Sequence, residues 1–373
     1  MHGTFWIGES QLDEEQSSAV LNMDEADSFL IRGPAGSGKT NILLLRALWF
    51  KLKDIHSFKI VVFTSSLKRF VQEGCEKYGV PREHVITGMQ FFREILDEYN
   101  VKLDLTNDFE TDRAILAGRV KSLVDEKNIS PPFEALLIDE SQDYMDTELL
   151  VLRRLCDRLI LVADSRQSIY RTTHTPGLLE SLVENKVITL KYHYRSGLNI
   201  CKVADGILKD SASFAPVHGE CRYDETVLPS SVTPVICANF DEQISSIISR
   251  LKSQVDLYPE ELIGVLFPKR DQLENFKAIL ALSSSDFDTD QIRAETMHSA
   301  KGLEFRAVHV AGCEALYKMG SVQKRLAYTA VLRGRTSVHV YYTGSIPGYL
   351  ESAIARLSAP KPNPGLGDLF RKK

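Results

Sequence analysis

The sequence is short of the features that would place it in several large classes. Its six cysteines are scattered with no C-x-x-C pair, which disfavours a zinc site or a disulfide framework and reads as reduced thiols. No apolar run reaches membrane-spanning length, and the opening Met-His-Gly-Thr-Phe-Trp-Ile-Gly-Glu-Ser lacks the charged and long apolar regions of a secretion signal. The expected setting is therefore soluble and cytoplasmic, with no membrane partner. Excess positive charge is also missing. A net charge of -5 argues against a surface given over wholly to nucleic acid, although a local basic groove can coexist with an acidic exterior. No internal repeat is visible. What is there, 373 residues of which 43% are hydrophobic and 25% charged, is ordinary globular composition and long enough for two domains.

The most informative stretch is Gly33 to Thr40, Gly-Pro-Ala-Gly-Ser-Gly-Lys-Thr, which fits G-x-x-x-x-G-K-[ST] at every fixed position. Ser28 to Arg32 before it reads as a short buried strand and Asn41 to Lys53 after it has helical apolar spacing, so the required strand, loop and helix are in place. The small residues of the loop, Gly33, Pro34, Ala35, Gly36, Ser37 and Gly38, let the backbone curl with its N–H groups inward at a helix N-terminus. Such a nest holds anionic oxygens. Lys39 is expected on the β/γ-phosphates, and the Thr40 hydroxyl on a bridging Mg²⁺.

Upstream, Leu12 to Val20 suggests an amphipathic helix with a carboxylate-rich first turn. Its Gln16 carries donor and acceptor together and could read adenine; on sequence alone it could equally be solvated helix surface. Downstream, Lys59 to Phe63 reads as a second strand followed by Thr64-Ser-Ser-Leu-Lys-Arg, whose hydroxyls and cations could meet phosphates. Ala135 to Ile138 is a further buried strand ending in Asp139 and Glu140, the pattern of a Walker B segment. Asp139 is expected at Mg²⁺ and Glu140 at the attacking water, against the plainer reading of two carboxylates capping the next helix. Arg158 to Ala163 ends in Asp164. Strands alternating with helices indicate a parallel sheet, and Gly33, Thr64, Asp139 and Asp164 all fall at strand carboxyl ends, where such sheets bind ligands.

The order of these segments resembles the UvrD/Rep/PcrA-type superfamily 1 helicases. Tyr192-His-Tyr194-Arg195-Ser196 resembles their fourth motif, Ala294-Glu-Thr296-Met-His298-Ser-Ala-Lys301-Gly302-Leu-Glu304-Phe305 their fifth, and Arg325-Leu-Ala-Tyr328-Thr-Ala-Val-Leu-Arg333-Gly-Arg335 their sixth. The resemblance implies an α/β fold of two RecA-like P-loop NTPase domains, each a mostly parallel sheet flanked by helices, with ATP and Mg²⁺ in the cleft between them. It implies that Gln16 reads adenine and Tyr194 stacks on it, that Gln167, Arg195 and Arg333 contact the γ-phosphate region, and that Gly302 and Glu304 border the nucleotide, Glu304 at the ribose. Phe63, Thr64 and His298 match strand-binding positions. Expected boundaries are 1–190 for the first domain, 191–358 for the second and 359–373 for a flexible tail, whose Leu369 and Phe370 could dock in a small apolar pocket.

Departures from the pattern are informative. Only Tyr99 to Phe133 stands where relatives carry the 1B insertion, and only Ser283 to Asp290 where they carry 2B. Thr172-Thr173 replaces an aromatic-Arg pair, removing a base-stacking platform. Two functions are compatible with the sequence. One is an ATPase that translocates on single-stranded DNA, 3′ to 5′ by resemblance, with weak or partner-dependent unwinding. The other is a nucleotide-gated interaction module that controls a partner such as a nuclease in repair or defence. Oligomeric state is not encoded legibly.

Overall fold

The computed structural model describes residues 6–8, 11–24, 26–106, 108–170, 174–209, 215–283 and 287–358. Thr172, Thr173 and the tail from Ala359 lie outside the described residues, as does part of the Ser283 to Asp290 loop. The first sheet contains β1 (Phe29–Arg32), β2 (Phe58–Val62), β3 (Val85–Thr87), β4 (Phe133–Ile138), β5 (Cys156–Ala163) and β6 (Val187–Thr189). They are ordered β3-β2-β4-β5-β1-β6, and every pair is parallel. The second contains β7 (Ser231–Cys237), β8 (Ile263–Phe267), β9 (Ile292–Thr296), β10 (Phe305–Val310) and β11 (Gly334–Thr343), ordered β7-β11-β10-β8-β9 and again wholly parallel. The protein has the α/β fold of two RecA-like domains. Helices α1 (Glu14–Leu21), α2 (Lys39–Leu52), α3 (Ser65–Tyr78), α4 (Gly88–Glu98), α5 (Phe109–Lys127), α6 (Asp146–Arg154) and α7 (Leu178–Ser181) accompany the first sheet. The remainder, α8 (Leu198–Ile207), α9 (Phe240–Leu257), α10 (Arg270–Ser283), α11 (Gln323–Val331) and α12 (Gly348–Ala355), belong to the second half of the chain.

The apolar runs of the central strands follow from burial on both faces. Along β1, Phe29 and Ile31 enter one core while Leu30 enters another; along β4, Ala135 and Leu137 alternate in the same way with Leu136 and Ile138. A strand with helices on both sides needs apolar residues at every position, which is why no polar alternation marks it in the sequence. Two strands have little to mark them in the sequence. β3 is only three residues long, and β9, Ile-Arg-Ala-Glu-Thr, is a half-buried edge. Neither carries the solid apolar run that identifies a central strand.

The core on one face of the first sheet is continuous with that of the second half. Ala35, Leu67, Leu190, Ile200, Met297, Leu303 and Phe305 belong to a single buried cluster. On the opposite face of the first sheet, α5 occupies the short segment between Tyr99 and Phe133. Asp108 caps it by accepting from the Thr111 amide at 2.9 Å, and Asn128 closes it with a left-handed φ of 46°. Arg113 of α5 is fully buried. Its guanidinium forms a two-pronged pair with Glu148 of α6, at 3.1 and 2.5 Å, donates to the Asp143 carbonyl at 2.9 Å and lies 4.6 Å from the centre of the Phe63 ring.

Arg113 thus fastens α5 to the loop that follows β4. Replacing it with leucine strands the Glu148 carboxylate in a dry interior, where removing one member of a buried pair costs about 3–5 kcal/mol. Urea unfolding of Arg113→Leu is expected to show an unfolding free energy lowered by that amount; a loss below about 1 kcal/mol, the scale of an exposed pair, would contradict the assignment.

Candidate nucleotide site in the interdomain cleft

The loop Gly33 to Thr40 joins the end of β1 to the start of α2, and two of its glycines take left-handed backbone, Gly36 at φ 72° and Gly38 at φ 82°. A side chain at either would be crowded. A Cβ on Gly36 would lie 2.6 Å from the His193 ring and 2.7 Å from Arg195; one on Gly38 would lie 2.6 Å from the Gln16 amide. Lys39 is buried, and its ammonium donates to the carbonyls of Gly33 at 2.9 Å and Pro34 at 2.8 Å. Burial lowers its pKa, against the opposing pull of Asp164 and Glu140. Gly33 and Pro34 therefore serve through their carbonyls, on the flank of the loop that lines a second cavity. Ser37 Oγ is buried with no partner among the described residues.

Around the loop, strand ends deliver acidic groups. The Thr40 hydroxyl donates to Asp139 at 3.0 Å, and the other Asp139 oxygen accepts from the Glu140 amide at 2.9 Å. Burial and then the neighbouring Glu140 raise the Asp139 pKa to about 6. Glu140 has a left-handed backbone, φ 52°, a conformation that costs an ordinary residue energy and recurs at functional positions. Burial works against its charge, but Lys301 and then Lys39 outweigh burial and hold its pKa below the usual carboxylate range. Gln142 donates to Glu140 at 2.5 Å and accepts the Asp164 amide at 3.0 Å; Gln167 in turn donates to Asp164 at 2.9 Å. The β4 and β5 ends are thereby locked together.

The second half of the chain supplies the cations. Arg333 is buried and donates to Gln167 Oε1 at 2.6 Å, to the Leu303 carbonyl at 3.1 Å and to the Thr329 carbonyl at 3.1 Å. Arg195 pairs with Glu304. Tyr194 donates its hydroxyl to Asp13 and its amide to the Gly36 carbonyl, the latter at 3.0 Å. Gln16 donates to the Ser37 carbonyl at 3.0 Å while accepting the Asp13 amide at 3.0 Å, so both ends of its amide are engaged with the loop and the α1 cap. Gly302 takes φ 85° against Leu67 of the first domain. These groups surround a cavity of about 270 Å³ lined by Gln16, Gly36, Gly38, Lys39, Thr40, Asp139, Glu140, Gln167, Tyr194, Arg195, Gly302, Glu304 and Arg333, with Ala35 at its edge.

The donor set fits a magnesium nucleotide. A hydroxyl and a carboxylate in contact at the foot of a glycine cradle are the hard oxygen ligands that Mg²⁺ takes beside substrate phosphates. Among the described residues there is no cluster of three His, Cys, Asp or Glu side chains that would hold another metal, and no helix is long and apolar enough to cross a membrane.

Residues matched for strand binding gather elsewhere on the cleft. Phe63 is only 8% exposed, packed at 4.4 Å against Tyr170, 5.3 Å against Tyr144 and 5.9 Å against Phe109. The Thr64 hydroxyl caps α3 by accepting from the Leu67 amide at 3.1 Å. His298 is half-buried, its ring 6.0 Å from Tyr170. Phe109, at 42%, is the most exposed ring of the group.

Comparison with known proteins adds two likenesses. A family model described as an AAA domain matches residues 16–173. A protein named probable DNA helicase in Mycoplasma pneumoniae is 27% identical over 190 residues, covering 48% of this chain and 35% of that protein. These matches support a likeness to superfamily 1 helicases. The chain spans about a third of the relative's length.

Two residues of this helicase-like site escaped the sequence reading. Lys301 crosses from the second domain into the first, where its ammonium meets Asp143, the Gln167 carbonyl at 2.5 Å and Glu140 at 3.5 Å. His193 is buried between the domains: one ring nitrogen meets the Ala35 carbonyl of the loop and the other accepts the Ser196 amide at 2.8 Å. Burial lowers its pKa to about 3, so it is a neutral strut. Both sit inside recognised segments, and a lysine or histidine there carries no periodic signal of its own; the alternation with Tyr192 and Tyr194 was the one available hint.

Gly36 concentrates these demands. A side chain there meets left-handed strain of about 1–2 kcal/mol and the His193 ring besides, so Gly36→Ala is expected to weaken binding of a fluorescent ATP analogue about tenfold or more with the fold retained. Unchanged affinity would show that the cradle tolerates displacement of His193.

Proposed function

We propose that the chain is an ATP hydrolase that moves on single-stranded DNA, with the nucleotide held between the two domains. The observation that carries this reading is one cavity receiving Lys39, Thr40, Asp139 and Glu140 from the first domain and Arg195, Glu304 and Arg333 from the second. Mg²⁺, held by Thr40 and Asp139, would neutralise charge on the phosphate oxygens. Glu140, kept ionised by Lys301 and Lys39, orients the attacking water and takes its proton. Lys39, Arg195 and Arg333 stabilise the charge that develops on the γ-phosphoryl group, and Gln167 positions Arg333. Gln16 and Tyr194 border the base, and Glu304 the ribose. Because Arg195 and Arg333 come from across the cleft, the site is complete only with the domains together, which links turnover to their relative motion.

For the strand, Tyr170, His298 and Phe109 form the surface on which a base could stack, with Phe63 packed against Tyr170 and Phe109 and Thr64 as the backbone-contacting residue. Phe109 lies on the helix that fills the site of the missing 1B insertion. Direction, 3′ to 5′, rests on the family resemblance. Weak unwinding follows from the small size of the segments at the two insertion sites, which leaves little beyond the cores to part a duplex.

Glu140→Gln is expected to retain ATP binding and lose turnover by about 10²–10⁴-fold, measured with a phosphate-release assay. Wild-type turnover in that variant would remove Glu140 from the chemistry. Base stacking contributes about 1–3 kcal/mol, so Phe109→Ala should weaken oligo-dT binding about 5- to 150-fold in an anisotropy titration while Phe109→Trp restores it. Equal affinity of the alanine variant and wild type would place the strand elsewhere.

A further inference from the structure

Outside the nucleotide cavity, one cluster of reactive side chains has no part in the chemistry above. Cys201, buried on α8, and Cys221, half-buried, place their sulfurs 4.0 Å apart, and each also reaches the Ser196 carbonyl, at 3.4 and 3.5 Å. The two thiols therefore converge on one carbonyl from different segments, although 20 positions separate them in sequence. Their surroundings differ. The Cys221 pKa is lowered to about 7, first by the hydrogen bond from Cys201 and then, against burial, by the Tyr223 amide, whereas the Cys201 thiol is pushed up. Cys221 is thus the more acidic thiol of the pair and Cys201 the one that donates to it.

The position of the pair ties it to the cleft. Cys221 forms an isolated parallel bridge with His193, fixed by the His193 amide donating to Glu220 at 3.0 Å and the Arg222 amide donating to His193 at 2.8 Å. His193 supports the phosphate loop, and Tyr194 and Arg195 follow it. Ser196, the shared carbonyl, is the next residue.

We propose that Cys201 and Cys221 form a reversible oxidation site, in which a peroxide converts the pair to a disulfide that ties α8 to the segment bridged to His193 and slows ATP turnover. The Cys221 thiolate attacks one peroxide oxygen; the O–O bond breaks, the departing hydroxide takes a proton to become water, and Cys221 becomes a sulfenic acid. Cys201 then attacks that sulfur, the S–S bond forms, the S–O bond breaks, and hydroxide leaves with the Cys201 proton as a second water. Two thiols are oxidised by one equivalent each and the peroxide is reduced. Closing the gap from 4.0 Å to the bonded distance of about 2.05 Å withdraws both thiols from the Ser196 carbonyl and shifts the segment that holds Arg195.

Bond formation is independent of the nucleotide reading; its effect on turnover rests on that reading, so the two are measured separately. The full chain is treated with hydrogen peroxide, alkylated, digested and mapped by mass spectrometry, and ATP turnover is followed in parallel. The expected result is a Cys201–Cys221 cross-linked peptide with turnover reduced severalfold, both reversed by dithiothreitol. Cys221→Ser should show neither change, and Cys201→Ser should accumulate a Cys221 sulfenic acid that dimedone traps. Oxidation only at other cysteines overturns the thiol pair. A cross-link with unchanged turnover overturns the control of the cleft, while a reduced protein without ATPase activity counts against the nucleotide reading and leaves the peptide map to decide the pair.

Discussion

The cleft depends on one electrostatic constraint: carboxylates buried at the strand ends of the first domain need cations that the second domain supplies. Asp143 is fully buried and meets the ammonium of Lys301, a residue 158 positions away. Without that partner the carboxylate would sit desolvated, a condition that interiors avoid by protonation or rearrangement. Arg333 stands in the same relation to Gln167 and, through it, to Asp164. Charge neutralisation and domain contact are consequently the same set of bonds. On the proposed function, a change of one charge on a nucleotide in the cleft would be felt directly by the groups that hold the halves together.

The first domain prepares its share rigidly. Gln142 spans from Glu140 to the Asp164 amide, and Ser141 donates to the Val162 carbonyl at 2.9 Å, so the loops after β4 and β5 cannot shift independently. Arg113 adds support from outside, since it binds both Glu148 and the Asp143 carbonyl. The reduced segment between Tyr99 and Phe133 is thus part of the support of the Walker B loop and also the source of the most exposed aromatic ring near the cleft.

Much of this arrangement was legible in the sequence because phosphate binding imposes local rules. A glycine at a left-handed position, a lysine after it and a carboxylate at the end of an apolar run are fixed by backbone geometry over a few residues, and the Gly33 to Thr40 loop and Asp139 could be read directly. The fold class followed from the alternation of apolar runs with helical spacing. What could not be read were pairings set by tertiary packing. Nothing near Lys301 announces Asp143, and nothing in Phe63 tells whether its ring faces solvent or lies beneath Tyr170. The strands β3 and β9 were missed for the related reason that short or edge strands lack the two-sided burial that leaves a continuous apolar run.

The apolar cluster that runs from Ala35 and Leu67 into Met297, Leu303 and Phe305 has a mechanical consequence. Two bodies that share a hydrophobic seam cannot swing wide apart without wetting it, and each apolar Å² exposed costs about 25 cal/mol. Motion within such a seam is confined to shear, in which packed side chains slide by small steps between neighbouring arrangements. Any relative displacement of the halves is then set by the grain of that packing, and the same seam makes either half, expressed by itself, a carrier of exposed apolar surface inclined to aggregate.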